Sequence, residues 1–261
     1  MIDLDQIVNL KKNPIIKSSD FIDECQNKIK QNSILKLDNF LNPEALNLIQ
    51  KEALSLHKRA YYCSQFHTIL LTKKKFNDNY DDPCNIEVKS DKGCVPHDLI
   101  PGKSILNKIY KSQKFISFIA NVLNVRNIYP YKDTLSCINY NYYEKNQQLG
   151  WHFDNASFAI TLMISSPKSG GIFQYFNKGR NYEKGYINKN LIKKVIEGQE
   201  KINELIVNPG TLVLFYGRNY LHRVTPVTSK KNRILVTLNY NLEPNIELSE
   251  NARKTFFGRE I

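Results

Sequence analysis

After residue 128 the chain breaks into short β-rich runs at regular spacing, and this series limits the open folds more than any other feature. The runs are "LSCINYNYY", "FAITLMISS", "GGIFQYF", "TLVLFYG", "LHRVTPV" and "RILVTLNYNL". Turn-forming residues separate them, among them Asn208-Pro209-Gly210 and Pro167-Lys168-Ser169-Gly170-Gly171. Short runs of β-branched and aromatic residues bounded by such turns read as antiparallel strands. One helical insertion, about 183–201, interrupts them.

The first 60 residues read mostly helical. "SSDFIDECQNKIKQ" opens on a cap signal and carries Phe21, Ile22, Cys25 and Ile29 at helical spacing. "SILKLDNFL" alternates as a short strand, and Asn42-Pro43 starts a second helix, "PEALNLIQKEALSLHKRAYY". Residues 77–102 are polar and broken by Asp82-Pro83 and Pro101-Gly102. They read as a loop long enough for a lid or a substrate-facing insertion. A third helix, "SILNKIYKSQKFISFIANVLNV", follows. Helices first and many short strands afterwards predict an α+β, mainly β fold. Its core would be a double-stranded β-helix (jelly roll, cupin-like) covered by N-terminal helices. One domain is expected over residues 1–261. Residues 1–128 would supply mainly helical cover and the substrate-facing loop, and 129–261 the jelly-roll core.

Charge and cysteine content narrow the setting. The net charge of +12 favours an anionic partner: a small dicarboxylate, an acidic carrier or nucleic acid. The lysines are dispersed, however, and short runs such as "LTKKKF" read as solvated surface. The opening "MIDLDQIVNLKKNP" lacks the apolar segment of a signal peptide, and no apolar run approaches a membrane span. Cys25, Cys63, Cys84, Cys94 and Cys137 are an odd count without a CxxC pair. Reduced thiols in a cytoplasmic protein are expected.

The chemistry concentrates in "LGWHFD". On a strand, His152 and Asp154 point to one face and Phe153 to the other. Two groups hold a metal poorly, so a third ligand must come from another strand. His222, in "YLHRVTPV", is the candidate. Two histidines and one carboxylate make the facial triad of non-haem Fe(II) oxygenases, which leaves positions open for a bidentate cosubstrate and O2. Such an enzyme also needs a clamp for the distal carboxylate of 2-oxoglutarate. Arg233 begins the next β run, and its fork can grip a carboxylate with two hydrogen bonds. An isolated HxD would say little; its combination with a distal His after "PGTLVLF" and the following Arg is far more specific. In "INYNYY", Asn139, Asn141 and Tyr143 share one face. Asn139 and Tyr143 are candidates for the cosubstrate, and Asn141 for the substrate. Gly170-Gly171 reads as a bulge, a close backbone approach or a plain turn.

"QLGWHFD", "SGGIFQYF", "PGTLVLFYGRNYLHRVTPV" and "LSENARKTFFGR" together resemble one family of 2-oxoglutarate/Fe(II) oxygenases. It includes the free-lysine-type amino acid halogenases and their hydroxylase relatives. The resemblance covers roughly residues 100–261 clearly and 30–100 loosely. It implies His152, Asp154 and His222 as metal ligands and Arg233 as the cosubstrate residue. In halogenating members the carboxylate ligand is replaced by glycine and chloride takes its place. Asp154 stands there in this chain, so the resemblance implies hydroxylation. It further implies a free amino acid or related small amine as substrate, contacted by Thr237 and Asn239. His67, Arg59 and the acidic residues Asp78, Asp81 and Asp82 are candidates for gripping the substrate's charged groups.

The expected function is therefore hydroxylation of an unactivated C–H of a small substrate, with Fe(II), 2-oxoglutarate and O2. Desaturation or cyclisation by the same chemistry, action on a protein or nucleic acid, and a non-enzymatic jelly-roll binding module are the competing readings. The resemblance argues against nucleic acid, and no membrane partner is expected.

Overall fold

The computed structural model describes residues 3–16, 18–76 and 82–260. Six α-helices are present among them: α1 (Ser19–Asn32), α2 (Pro43–Leu56), α3 (Ile105–Lys111), α4 (Gln113–Val122), α5 (Lys189–Ile196) and α6 (Glu250–Phe257). The early strands are β1 (Ile34–Leu37), β2 (Tyr61–Thr68), β3 (Glu87–Val95), β4 (Tyr129–Pro130), β5 (Ile138–Tyr143) and β6 (Leu149–His152). Then come β7 (Ala159–Ser165), β8 (Phe173–Phe176), β9 (Arg180–Asn181), β10 (Tyr186–Ile187) and β11 (Asn203–Leu205). The last are β12 (Leu212–Phe215), β13 (Leu221–Val224), β14 (Arg233–Leu238) and β15 (Tyr240–Asn241).

The strands form a jelly roll of two antiparallel sheets. The larger has the order β1-β12-β7-β14-β5-β3-β2 and the smaller β11-β8-β13-β6. Strand periodicity explains how the larger sheet is used. Ile138, Tyr140, Tyr142, Leu162, Leu214, Ile234 and Val236 belong to the main core with residues of α1 to α4. The alternate positions face the smaller sheet and line the cavity between the two. Two core tyrosines are anchored on α2: Tyr140 donates its hydroxyl to Glu52 Oε1 at 2.8 Å, and Tyr142 to the Ala53 carbonyl at 2.8 Å. Outside the smaller sheet, Trp151, Phe153 and Leu221 pack with Ile192 and Val195 of α5.

Local signals set the helix ends. Ser18 caps α1 by accepting the Phe21 N–H at 3.1 Å, and the helix stops at Ser33 in the left-handed region (φ 63°). The expected third helix is instead two, α3 and α4. Ser112 between them is extended, and its hydroxyl accepts the Phe115 N–H as a fresh cap.

Three other expectations need correction. The second helix stops at Leu56, and Tyr61 already pairs with Cys94 as strand. "HKRAYY" has no apolar stripe to continue a helix, so the neighbouring strand decides its state. The helical insertion shrinks to α5, preceded by the β9–β10 pair. The supposed loop 77–102 contains β3, nine residues paired with both β2 and β5. Residues 1–128 therefore supply three strands of the larger sheet, β1, β2 and β3, and are more than a helical cover.

Candidate active site

β6 and β13 are neighbours in the smaller sheet, and His222 is the direct cross-strand partner of His152. Their ring centroids are 4.1 Å apart. β6 ends at His152, and two backbone bonds carry the chain onward. Phe153 donates to the Ile69 carbonyl at 2.8 Å and Asp154 to that of Gly217 at 3.0 Å. Phe153 turns into the outer apolar cluster, and Asp154 turns to the histidines. Asp154 Oδ1 lies 3.5 Å from Nε2 of both His152 and His222. One donor atom from each residue falls within a 4.8 Å span, a set able to hold a metal ion.

Hydrogen bonds aim both imidazoles. Nδ1 of His152 meets the Gly150 carbonyl at 2.8 Å, and Nδ1 of His222 the Tyr220 carbonyl at 2.9 Å. A carbonyl only accepts, so each Nδ1 carries a proton, and each ring turns its Nε2 toward Asp154. Burial, reinforced by His222, pushes the His152 pKa down to about 4, which keeps the ring neutral. Burial opposes ionisation of Asp154, but His222 and His152 outweigh it and hold the carboxyl below its usual range. The set offers two imidazole nitrogens and one carboxylate, the donor chemistry that suits Fe(II).

Gly217, the last residue of the β run "TLVLFYG", shapes this centre. A Cβ there would lie 2.5 Å from Asp154 Cγ and closer still to Oδ2. The carboxylate occupies the space a side chain would need. His67 acts behind the centre. Its Nδ1 meets the Thr68 carbonyl at 2.8 Å, which places the proton there. Nε2 then accepts from Ser90 Oγ at 2.6 Å, and Ser90 Oγ accepts the Gly150 N–H at 2.9 Å. This chain fixes the backbone two residues before His152. His67 lines the cavity, but both its nitrogens are engaged within the protein.

A cavity of about 330 Å³ runs from this centre between the sheets. Arg233 lines it and is only 3% exposed. Its Nε and Nη1 have no hydrogen-bond partner, and burial lowers its pKa. The Tyr143 ring stands 5.3 Å from the guanidinium carbon. A Cβ on Gly171 (φ 61°) would come within 3.2 Å of Arg233 Cδ, so this glycine is both turn and close approach. A buried cation with orphaned donors calls for an anion, and a planar fork suits a carboxylate. Both ends of the cavity therefore fit the groups expected from sequence: Fe(II) at the triad, and at Arg233 the distal carboxylate of 2-oxoglutarate.

The other expected residues are mostly gathered here. Arg233, Leu235 and Thr237 of β14 oppose Tyr143, Asn141 and Asn139 of β5, and all six line the cavity. Asn139 is braced: its Nδ2 donates to the Leu135 carbonyl at 2.7 Å, and its Oδ1 accepts from Asn239 at 3.2 Å. Asn239 also lines the cavity. Arg59 is exposed and outside this lining. Asp82 caps the turn at 83–85, pairs with Lys189 at 2.5 Å and is likewise outside it. Asp78 and Asp81 lie outside the described residues. Lys92 was not foreseen, because its strand read as loop. It lines the cavity and donates to Asn141 Oδ1 at 2.6 Å.

Fold and centre together define a 2-oxoglutarate- and iron(II)-dependent oxygenase. The model of one family, halogenase D, matches residues 86–257, and the chain belongs to that family. No curated protein matches. Among solved structures, an oxidoreductase of the 2OG-Fe(II) oxygenase family from Burkholderia pseudomallei is similar at a TM-score of 0.54 and 13% identity. That match covers 85% of this chain and 91% of the other. The non-haem α-ketoglutarate-dependent epimerase SnoN of nogalamycin biosynthesis gives 0.57 at 8% identity, with 86% and 82% covered. A Trichoplax adhaerens prolyl hydroxylase, solved with a hypoxia-inducible factor peptide, gives 0.52 at 13%, with 87% and 94% covered. At such identities the likeness is one of fold. No helix among the described residues is long and apolar enough to cross a membrane, and all five cysteines are free.

Proposed function

We propose that this chain hydroxylates an unactivated C–H bond of a free amino acid or related small amine. In this reading His152, Asp154 and His222 hold Fe(II), and Arg233 grips the distal carboxylate of 2-oxoglutarate over the Tyr143 ring. Fe(II) with 2-oxoglutarate and O2 supplies the oxidising power for C–H cleavage, with succinate and CO2 as co-products. The chain's own residues hold, orient and enclose. Gly150 and Tyr220 fix the imidazole tautomers through their carbonyls. Asn139, braced by Asn239, stiffens the wall, and Asn141 and Thr237 offer polar contacts to the substrate. His67 serves as a positioning residue, because its nitrogens are already engaged. The unpaired thiols suit a reducing compartment such as the cytoplasm.

The observation that carries the reading is Asp154 Oδ1 at 3.5 Å from both histidine Nε2 atoms. With a carboxylate seated there, the protein leaves no gap in its ligand set for a halide, despite the family's name. The test supplies Fe(II), 2-oxoglutarate and a panel of free amino acids, with chloride present, and weighs the products. A product heavier by one oxygen is expected. A chlorinated product, or one lighter by two hydrogens, refutes hydroxylation. His152→Ala and His222→Ala should abolish iron retention and succinate release.

A further inference from the structure

The cavity carries an uneven set of charges. Among its described lining residues, Asp154 is the sole carboxylate, while Lys92 and Arg233 are both cationic. Asp154 belongs to the metal triad and Arg233 to the cosubstrate. Lys92 is left over. It sits on β3 one residue before Gly93, the partner of Tyr142, and so stands beside Tyr143 and on the cavity face. It is half-buried. Of the three donors on its ammonium, Asn141 Oδ1 takes one. The Phe256 ring of α6 covers the group, with Nζ 5.2 Å from its centroid. Leu248 and Phe257 add further apolar wall.

We propose that Lys92 receives the carboxylate of the primary substrate, and that this substrate is an amino acid with an uncharged, apolar side chain instead of a diamino acid. The inference rests on the amino-acid reading above and sharpens it. An incoming carboxylate meets a cation held in place by Asn141 and shielded from water by Phe256, where such a pair is strengthened. Its α-ammonium needs only neutral acceptors, which the amides and hydroxyls of Asn141, Thr237 and Ser136 offer. A second ammonium at the end of a side chain would enter a cavity with two cations and, apart from Asp154 of the triad, no carboxylate among its described lining residues. Burying an unpaired charge is strongly unfavourable.

The test uses anaerobic iron-loaded protein with 2-oxoglutarate, and reads binding by calorimetry. L-Lysine is L-norleucine carrying an ammonium on its terminal carbon, so the pair isolates the charge. Norleucine should bind at least about tenfold tighter than lysine, a difference of about 1.4 kcal/mol. Lys92→Met should weaken norleucine by about tenfold or more, and Lys92→Arg should keep most of the affinity. In both variants the 2-oxoglutarate affinity, which depends on Arg233, should hold; it also reports that the variant is folded. If hexanoate binds in a Lys92-dependent way while neither amino acid does, the carboxylate receptor stands and the amino-acid reading falls. Lysine bound as tightly as norleucine overturns the proposal. So does carboxylate affinity that Lys92→Met leaves unchanged, or no carboxylate binding in the parent protein.

Discussion

Arg233→Met should stabilise the cosubstrate-free protein while destroying its grip on 2-oxoglutarate. Arg233 is 3% exposed, and its Nε and Nη1 are unpaired. Each unmet buried donor costs about 1–3 kcal/mol, so the pair handicaps the empty state by about 2–6 kcal/mol. The Tyr143 ring returns about 0.5–2 kcal/mol of this through its face. Methionine fills similar volume without a donor or a charge. Exchanging a buried charge for such a side chain is neutral or stabilising, by up to about 4 kcal/mol. At about 2–4 °C per kcal/mol for a chain of this size, the variant should melt several degrees higher. Cosubstrate reverses the order. At one hundred times its Kd, 2-oxoglutarate adds about 2.7 kcal/mol to the parent protein, a rise of about 5–10 °C. The variant forfeits about 2–5 kcal/mol of that binding, or about 30- to 5000-fold in Kd, and should show little shift. Scanning fluorimetry of both proteins, with metal and with or without 2-oxoglutarate, gives all four melting temperatures. A variant that melts below the parent without cosubstrate, or shifts upward with it as far as the parent does, refutes the reasoning.

Gly217→Ala should push the Asp154 carboxylate out of the triad and weaken iron about 10- to 100-fold by metal titration. The same change made in Asp154→Gly should cost almost nothing more, because the overlapping atoms are gone; additive losses would contradict the overlap. Ser90→Ala should cost about 2–6 kcal/mol in urea melts, since it strands both the Gly150 N–H and His67 Nε2. Metal-free protein should lose stability as pH falls below 6.5. Burial lowers the His67 pKa from that value, so the unfolded chain takes up a proton that the folded one refuses. His152, whose pKa burial also lowers, contributes to the same slope, so His67→Gln should make it shallower, and an unaltered slope would exonerate His67.

Much of the centre was legible in the amino-acid order because its residues are chemically conspicuous against their surroundings. His152, Asp154, His222 and Arg233 interrupt apolar β runs, and a period of two told which neighbours share their face. The register confirms that reasoning for β5: Asn139, Asn141 and Tyr143 oppose Thr237, Leu235 and Arg233. β3 was missed for the converse reason. Its cavity face carries Ser90 and Lys92, and its other face Lys89 and Asp91, so neither face is an apolar row. A strand that lines a polar cavity thus loses the alternation by which strands are recognised, and it loses it because of what it does. Lys92 was hidden with its strand.

The same logic reaches Gly217 from the other side. A ligand's identity can be read from its side chain, but the angle at which it meets a metal depends on what surrounds it. Here the surrounding element is a missing side chain. Asp154 occupies the volume a Cβ would fill on Gly217, and its N–H is tied to that residue's carbonyl. Nothing in "FYGRN" distinguishes this glycine from one that merely turns the chain, and its φ is not among the positive ones. The constraint arises only when the end of β6 is laid against the turn before β13. Pattern reading therefore finds the groups that do chemistry and overlooks the spaces that aim them. A close approach of this kind becomes visible only once the strands are paired.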